Sequence, residues 1–439
     1  MYLYIYMCYR NKIFFLFFFL LLFSNKIFAV TDTIPFGINL AGAEFGVPNL
    51  PGVYGLDYTY PTIKDIQYFS KKGFSLVRLP VRWERLQHTL GAGLDTTELD
   101  RLNTFIDSCA VYKLNVIIDL HNYGLYYING KPFELGSVTV TRDMFADVWQ
   151  KIALALKTKT NIYGFDLMNQ PQGLGNYTWP IAAQQAIDAI RQVNKKVNII
   201  VEGENSGLTE CWPTCNDPMK NLYDTYNKII YSAHIFFDTD GTGVYTSTNY
   251  DTLGISTAEA IKRVKPFIDW LEQNNKQGMI GSFGVPNNDK RWNILLDTFM
   301  NYISSRCLGG CYWAAGPWWH NYFLSVEPDS ISGADKPQMQ VVEKYLYPTC
   351  SALNAKPQNI QAVNFYPNPF SSSLIIDQGI CGTYQTLSLY DISGKIIFAT
   401  PIQINTNIIH LPNIPSGVYI ALLKAKDGKK LVQKLIKLH

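Results

Sequence analysis

Polar side chains recur at the ends of short apolar segments, where they could bind or process a hydroxyl-rich ligand. The set is Arg78, His121, Asn122, Asn169, Gln170, Glu202, Glu204, His234 and Ser282, with Trp313 nearby. Amides, imidazoles and hydroxyls exchange hydrogen bonds with sugar hydroxyls, and an aromatic ring offers an apolar face to the C–H groups of a sugar. These residues favour a glycan cleft, and they suggest neither a metal site nor an organic cofactor.

Apolar segments alternate with amphipathic segments between residues 34 and 348. Eight strand-like runs are predicted, at Phe36–Gly42, Phe74–Val81, Asn115–His121, Tyr163–Asn169, Asn198–Gly203, Ile229–Ile235, Gly278–Phe283 and Cys311–Ala315. Helical patterns follow most of them, at Thr97–Tyr112, Arg142–Thr158, Ile181–Asn194, Thr257–Asn274 and Lys290–Ser305. One helical stripe consists of Leu99, Leu102, Phe105, Ile106 and Cys109.

Strands that are apolar on both faces belong to a buried parallel sheet. Eight of them alternating with helices predict a (β/α)8 barrel, which is an α/β fold. The polar residues would then meet where the strands end, at the carboxyl edge of the barrel. An open, doubly wound sheet is the alternative, but Gly37–Gly46 lacks the glycine spacing of a phosphate-binding turn.

The ends of the chain predict a leader and a second domain. Residues 1–29 join a basic start to the apolar run Ile13–Phe23, which indicates a secretory signal peptide. A membrane anchor is disfavoured because the run is only about half of the ~20 residues needed to span a bilayer. We predict the barrel over residues 30–350, a polar linker over 351–362 and a small antiparallel β-sandwich over 363–439.

The net charge of +3 is unevenly distributed along the chain. Residues 1–30 carry +3, residues 361–439 carry +4, and the region between them carries −4. A central region with this balance offers no basic surface to a phosphate backbone, so nucleic acid is excluded as the leading partner.

The cysteines suggest disulfides, which an exported protein can keep. Cys211 with Cys215 and Cys307 with Cys311 are each spaced four residues apart. No histidine or second cysteine pair lies at the spacing of zinc ligands, so two local disulfides are favoured over zinc sites.

The C-terminal segment resembles the sorting domain of the type IX secretion system of Bacteroidetes. The matching motifs are Tyr366-Pro-Asn-Pro-Phe370, Leu389-Tyr-Asp-Ile-Ser-Gly394, Pro415-Ser-Gly-Val-Tyr419 and the basic end Lys429–His439. The resemblance implies recognition by the type IX machinery and a location at the cell surface or outside. A carbohydrate-binding sandwich is disfavoured because this segment contains no tryptophan.

The central region resembles glycoside hydrolase family 5, and most of all its endo-β-1,4-glucanase branch. The motifs that carry the resemblance are Gly37–Phe45, Val77–Trp83, Asp119–Tyr123, Gly164–Asn169, Ser232–His234, Phe283–Asn288 and Tyr312–Trp319. The resemblance implies a β/α barrel and retaining hydrolysis, in which one glutamate donates a proton and a second attacks the anomeric carbon.

Three residues depart from the family pattern at the reacting centre. Gln170 stands where the resemblance places the acid/base glutamate, Ser282 where it places the nucleophile, and Phe236 where a tyrosine is usual. No catalytic carboxylate of the family is therefore intact. A glutamine amide has no proton to donate near neutral pH, and general acid–base help is worth ~10²–10⁴-fold in rate. Ser282 is too short to replace glutamate, and no neighbouring base activates it.

The leading hypothesis is a secreted, non-catalytic binder of β-1,4-glucan or a related plant polysaccharide. Its cleft would be lined by Arg78, His121, Asn122, Asn169, Gln170, His234, Ser282 and Trp313. The enzymatic alternative is a retaining endo-β-1,4-glucanase with residual activity or with relocated carboxylates, for which Glu202 and Glu204 are the candidates. A third possibility is a structural surface protein without a ligand, for which Trp313→Ala would alter only stability.

Overall fold

The chain divides into two compact units, Met1–Cys350 and Ser351–His439. The computed structural model describes residues 34–47, 49–174, 178–347, 365, 367–376, 384–391, 395–402, 408–425 and 430–438. The predicted signal peptide and linker lie outside these residues. Within them, no helix is long and apolar enough to cross a membrane.

Eight parallel strands of the first unit close into a barrel, as predicted. In chain order they are β1 Phe36–Leu40, β2 Leu76–Val81, β3 Asn115–Leu120, β6 Ile162–Asp166, β7 Asn198–Glu202, β8 Ile229–Ile235, β9 Gln277–Phe283 and β10 Gly310–Ala315. Neighbours in this order pair with each other, and β1 also pairs with β10. This closing pair rules out the open, doubly wound sheet.

Helices connect the barrel strands. They are α1 Ile63–Lys71, α2 Trp83–Leu86, α3 Thr96–Val111, α4 Arg142–Ala155, α5 Thr178–Val193, α6 Trp212–Cys215, α7 Tyr250–Leu253, α8 Thr257–Asn274, α9 Lys290–Ser305 and α10 Met339–Val342. Short 3₁₀ turns lie at Asn205–Gly207, Asp217–Asn221 and Glu343–Tyr345. Helix α3 begins where Asp95 accepts a hydrogen bond from the backbone of Glu98. The predicted stripe on α3 is buried, except that Leu99 is half-buried.

The barrel interior changes from apolar to polar along the strands. Near the amino ends, a cluster of interior side chains comprises Leu76, Ile117, Ile200, Ile230, Met279 and Cys311. Further along, the buried side chains include Asn39, Arg78, Asp119, Asp166 and Glu202. The barrel is therefore a filled core rather than a pore, and the polar site rests on an apolar floor.

A short hairpin after β3 was not among the predicted elements. Strands β4 Leu125–Ile128 and β5 Lys131–Glu134 pair antiparallel. The turn between them is Asn129-Gly130, and both residues have positive φ. An Asn-Gly pair between two short runs is the usual signal of a two-residue hairpin, so the sequence did contain the information.

The prediction of two local disulfides is wrong. Cys211, Cys215 and Cys311 are free, and Cys307 is disulfide-bonded. Cys211 and Cys215 lie one helical turn apart at α6, where side chains run side by side instead of converging as a disulfide requires. Cys311 lies in the apolar cluster inside the barrel, whereas Cys307 precedes strand β10.

The second unit is built from antiparallel strands, as predicted. They are β11 Ser373–Ile375, β12 Tyr384–Tyr390, β13 Ile396–Pro401, β14 Ile408–His410, β15 Gly417–Ala425 and β16 Lys430–Lys437. Strands β13, β12, β15 and β16 form one sheet, and β11 pairs with β14, a strand that was not predicted. A separate apolar core includes Phe370, Leu374, Leu389, Tyr419 and Leu435, which is typical of a small sandwich.

Candidate active site

Arg78 is the centre of a buried polar network inside the barrel. Its side chain is 0% exposed. Side-chain oxygens of five residues lie within 3.1 Å of its nitrogens: Asn39, Asp119, Asp166, Asn169 and Glu202. Arg78 therefore lies beneath the floor of the cleft, where it positions the groups above it.

The network places three carboxylates around one guanidinium. Burial raises the pKa of Glu202 to about 8, and burial together with the charge of Glu202 raises the pKa of Asp166. Oδ1 of Asp166 is buried without a hydrogen-bond donor among the described residues. Both pKa shifts have the same physical cause, because carboxyl groups buried close together each disfavour the charged form of the other.

A chain of hydrogen bonds runs from Glu202 through His234 to Gln170. Nε2 of His234 lies 2.8 Å from Oε1 of Glu202, and Nδ1 lies 3.0 Å from Nε2 of Gln170. Burial lowers the pKa of His234 to about 3, so the ring is neutral. The backbone N–H of Gln170 donates to Oε2 of Glu202 at 2.6 Å. Glu202 thus fixes both ends of Gln170.

His121 belongs to a second chain at the end of β3. Its Nδ1 lies 2.6 Å from Oδ2 of Asp119, and its Nε2 lies 3.0 Å from the hydroxyl of Tyr123. Burial lowers the pKa of His121 to about 4. The imidazole stacks on Trp313, with the centroids 5.5 Å apart and the planes at 8°. His121 therefore orients the tryptophan ring.

Trp313 is part of a half-buried aromatic group at the end of β10. Trp319 packs edge-on against it at 5.8 Å and stacks on Tyr322 at 4.4 Å. Phe45, from the loop after β1, packs edge-on against Trp319 at 4.9 Å. We call these four residues, Phe45, Trp313, Trp319 and Tyr322, the aromatic wall. Such a wall suits the apolar face of a sugar.

Asn122 and Ser282 occupy different kinds of environment. The amide of Asn122 is fully buried: it accepts from the backbone of Trp83 and donates to Glu84 and to the carbonyl of Leu125. It therefore holds loops together. Ser282 is 2% exposed, and its hydroxyl has no hydrogen-bond partner among the described residues. Ser282 lies on β9 in register with His234 on β8.

The other acidic residues near the strand ends are also engaged. Glu202 is 0% exposed, and Glu204 is 6% exposed and accepts from the backbone of Leu174 at 2.9 Å. Asp238 accepts from the backbones of Gly243 and Tyr245 and so closes the loop after β8. Within the described part of the chain, no group of three histidine, cysteine or acidic side chains is arranged to hold a metal ion.

Sequence reasoning missed Asn39, Asp119 and Glu44 as parts of the site. Asn39 and Asp119 are polar residues inside otherwise apolar strand runs, and that interruption was the available signal. Glu44 is part of the motif Gly37–Phe45 but received no role; it is buried in the loop after β1 and accepts from the backbone of Gly42 at 2.7 Å.

Glu44 gives the barrel a measurable pH dependence. Burial raises its pKa from 4.5 to about 7. The unfolded chain therefore releases this proton first, and stability falls as pH rises from about 4.5 to 7. We expect Glu44→Gln to gain stability relative to wild type over this interval, on the order of 2–3 kcal/mol. Urea unfolding at pH 5 and pH 8 measures the gain. A stability difference between Glu44→Gln and wild type that is the same at both pH values would contradict the raised pKa of Glu44.

Comparison with known proteins places this site in a known family. Residues 38–318 match the family model described as cellulase, glycosyl hydrolase family 5. The chain is 31% identical over 315 residues to a probable endo-beta-1,4-glucanase B of Aspergillus oryzae, an alignment covering 71% of this chain and 90% of the relative.

Solved structures give the same result. The endoglucanase Cel5A of Pseudomonas stutzeri in complex with cellobiose is 35% identical with a TM-score of 0.68, over 72% of this chain and 94% of that one. An endo-beta-1,4-glucanase of Xanthomonas axonopodis pv. citri is 33% identical with a TM-score of 0.66, over 71% and 98%.

The second unit matches a different model. Residues 364–438 match the secretion system C-terminal sorting domain. This match indicates export through the type IX secretion system to the cell surface or outside. The first unit supplies the larger match, since it covers more than half of the chain. The chain therefore belongs to glycosyl hydrolase family 5.

Proposed function

We propose that this exported protein binds β-1,4-glucan or a related plant polysaccharide without hydrolysing it. The observation that carries the proposal is that the cleft combines replaced catalytic residues with a retained binding surface. By the resemblance, Gln170 and Ser282 stand where the family has its two catalytic glutamates, while the network of Arg78 and the aromatic wall are present in the structure. Loss of the reacting groups alone leaves a trough that can bind a chain but lacks the means to cleave it.

Several groups at the cleft are free to meet a sugar. Asn169 uses its amide oxygen on Arg78, and its amide nitrogen donates to no described residue. Gln170 is half-buried, and no described residue donates to its amide oxygen. Trp313 is half-buried and stacks on His121. A glucan offers what these groups need, because its hydroxyls both donate and accept and its pyranose faces are apolar.

Relocated catalysis is poorly supported by the positions of the remaining carboxylates. A general acid must lie within hydrogen-bond reach of the leaving oxygen. Glu202 has no exposed surface and is held by Arg78 and His234. Glu204 is held by the loop that contains Leu174. Their roles here are to position other residues.

Calorimetric titration of the full chain with cellotetraose tests the proposal, together with a reducing-end assay over the same period. We expect saturable heat with a Kd on the order of micromolar to millimolar and no new reducing ends. Absence of heat with cellotetraose, and with soluble glucomannan and xyloglucan, would contradict binding. Sustained heat with new reducing ends would contradict the loss of catalysis.

Trp313→Ala is expected to weaken cellotetraose binding by at least about tenfold, because the ring is the largest apolar surface offered to a sugar here. The matched control is Tyr223→Ala. Tyr223 is 65% exposed and precedes β8, so it lies at the opposite, amino-terminal edge of the barrel. This control is expected to keep wild-type affinity. Equal affinity of both variants would remove the aromatic wall from the proposal.

The second candidate function is residual endo-β-1,4-glucanase activity, which is favoured by the activity that the relatives are named for. It predicts that reducing ends accumulate above background and that Glu202→Gln or Glu204→Gln abolishes them. The reducing-end assay therefore separates the two candidates without reference to binding.

Processing during export is part of the proposal. We place a signal peptide over residues 1–29, the barrel over 30–350, a linker over 351–362 and the sorting unit over 363–439. Mass spectrometry of the exported protein is expected to find an amino terminus near residue 30. It is also expected to find a carboxyl terminus in or near the linker, because the resemblance to the type IX sorting domain implies that this tail is removed after export.

A further inference from the structure

The orientation of the Gln170 amide is fixed by its neighbours. Nε2 of His234 lies 2.8 Å from Oε1 of Glu202. Both oxygens of Glu202 accept other hydrogen bonds, Oε1 from Nη2 of Arg78 at 2.8 Å and Oε2 from the backbone N–H of Gln170 at 2.6 Å, so this carboxyl group acts as an acceptor toward its neighbours. The proton of the neutral imidazole therefore lies on Nε2, and Nδ1 has a free lone pair. The group 3.0 Å from Nδ1 must be the donor of the amide, which is Nε2 of Gln170.

The reversed amide is disfavoured by the same contacts. It would place the amide oxygen 3.0 Å from a nitrogen lone pair, so that two acceptors would face each other without a proton. A charged imidazole would relieve this contact, but burial beside Arg78 keeps His234 neutral. The amide oxygen of Gln170 is consequently the atom left for a ligand, and no described residue donates to it.

The oxygen lies where a retaining hydrolase holds its acid against the glycosidic oxygen, if Gln170 occupies the acid/base position as proposed. A protonated glutamate donates to that oxygen, whereas the amide oxygen of Gln170 only accepts. A glycosidic oxygen carries lone pairs and no proton, so the two atoms repel. A free hydroxyl at the same point has a proton to donate.

We propose that Gln170 makes the cleft select the reducing end of a β-1,4-glucan over an uninterrupted chain. The anomeric hydroxyl of the terminal sugar, in its β form, donates to the amide oxygen of Gln170 while the ring packs against the aromatic wall. This inference rests on the proposed binding function and adds the part of the chain that is bound. If Gln170 holds the acid/base position, the hydroxyl that takes the place of the glycosidic oxygen is the anomeric one.

Calorimetry with two ligands, cellotetraose and methyl β-cellotetraoside, tests this inference on the full chain. The methyl group converts the anomeric hydroxyl into an ether oxygen and leaves the other sugar positions unchanged. We expect the methyl glycoside to bind about tenfold more weakly, since one hydrogen bond is lost and a partly buried acceptor stays unpaired. Equal affinity would overturn the inference and leave the binding function intact. If neither ligand binds, both the inference and the proposed binding function are overturned.

The variant Gln170→Met assigns the selectivity to the amide. Methionine has a similar length and no strong acceptor, so the ratio of the two Kd values is expected to fall to about one. Tyr223→Ala again serves as the control and is expected to keep the ratio of the wild type. If the ratio of the two Kd values stays near ten in Gln170→Met, another residue recognises the chain end, and the role given to Gln170 is overturned.

Discussion

Simultaneous replacement of Gln170 and Ser282 by glutamate is expected to raise hydrolysis of cello-oligosaccharides by at least about 10⁴-fold over wild type. The double variant would place one carboxyl group next to His234 and a second one on β9. The surrounding network is already assembled, because Arg78 holds Asn169 at 3.1 Å and Glu202 fixes the backbone of Gln170. Reducing-end release from cellopentaose measures the gain.

The single variants are the sharpest controls for this prediction. Gln170→Glu alone supplies an acid without a nucleophile, and Ser282→Glu alone supplies a nucleophile without an acid. Because the two groups act as a unit, each single variant is expected to stay within about tenfold of wild type. The pair Gln170→Glu with Ser282→Gln fills the same space without a nucleophile and is expected to stay at background.

A double variant that binds cellotetraose but does not cleave it would contradict the idea that two side chains account for the loss. Phe236 is the next position to change, since it is buried and brings no hydroxyl to the site. The triple variant with Phe236→Tyr would then separate a missing phenol from a wider distortion of the cleft.

The barrel was predictable because its elements are locally encoded. Helices α8 and α9 begin and end as the periodicity predicted, at Thr257–Asn274 and Lys290–Ser305. Four of the eight strand predictions ran one to three residues too far at the carboxyl end, as for Tyr163–Asn169 against Ile162–Asp166. The excess residues include His121 and Asn169 of the site, which lie just beyond the last paired residues of their strands.

The contacts of the site were not predictable in the same way. Asn39, Arg78, Asp119, Asp166 and Glu202 lie on five different strands and meet only when the barrel closes. The sequence therefore placed Arg78 and Asn122 among residues that touch a ligand, while the structure gives their polar atoms to other side chains and backbone groups. The free amide oxygen of Gln170 depends on a histidine tautomer and so required the geometry.

Replacement of Arg78 by methionine is expected to destabilise the barrel by about 3–5 kcal/mol, the usual cost of removing one partner from a buried ionic network. Arg78 is the guanidinium that faces Asp119, Asp166 and Glu202, and its side chain and theirs are at most 1% exposed. Without it, these carboxyls either stay charged and repel or take up protons. Urea unfolding at pH 7 measures the loss.

Two controls make this prediction specific: the stability loss is measured at two pH values, and it is compared with the loss from breaking an ion pair on the surface. Protonation removes the negative charges that would repel each other in the variant. The loss of stability in Arg78→Met is therefore expected to shrink as pH falls from 7 to 5. Arg306→Met removes a guanidinium from an exposed pair with Glu272, and is expected to cost no more than about 1 kcal/mol. Equal losses in the two variants, or a loss in Arg78→Met that ignores pH, would mean that the network contributes packing alone. In that case the orientation of Asn169 and Glu202, and with it the ligand-facing amide of Gln170, would have to be maintained by the backbone of the strands.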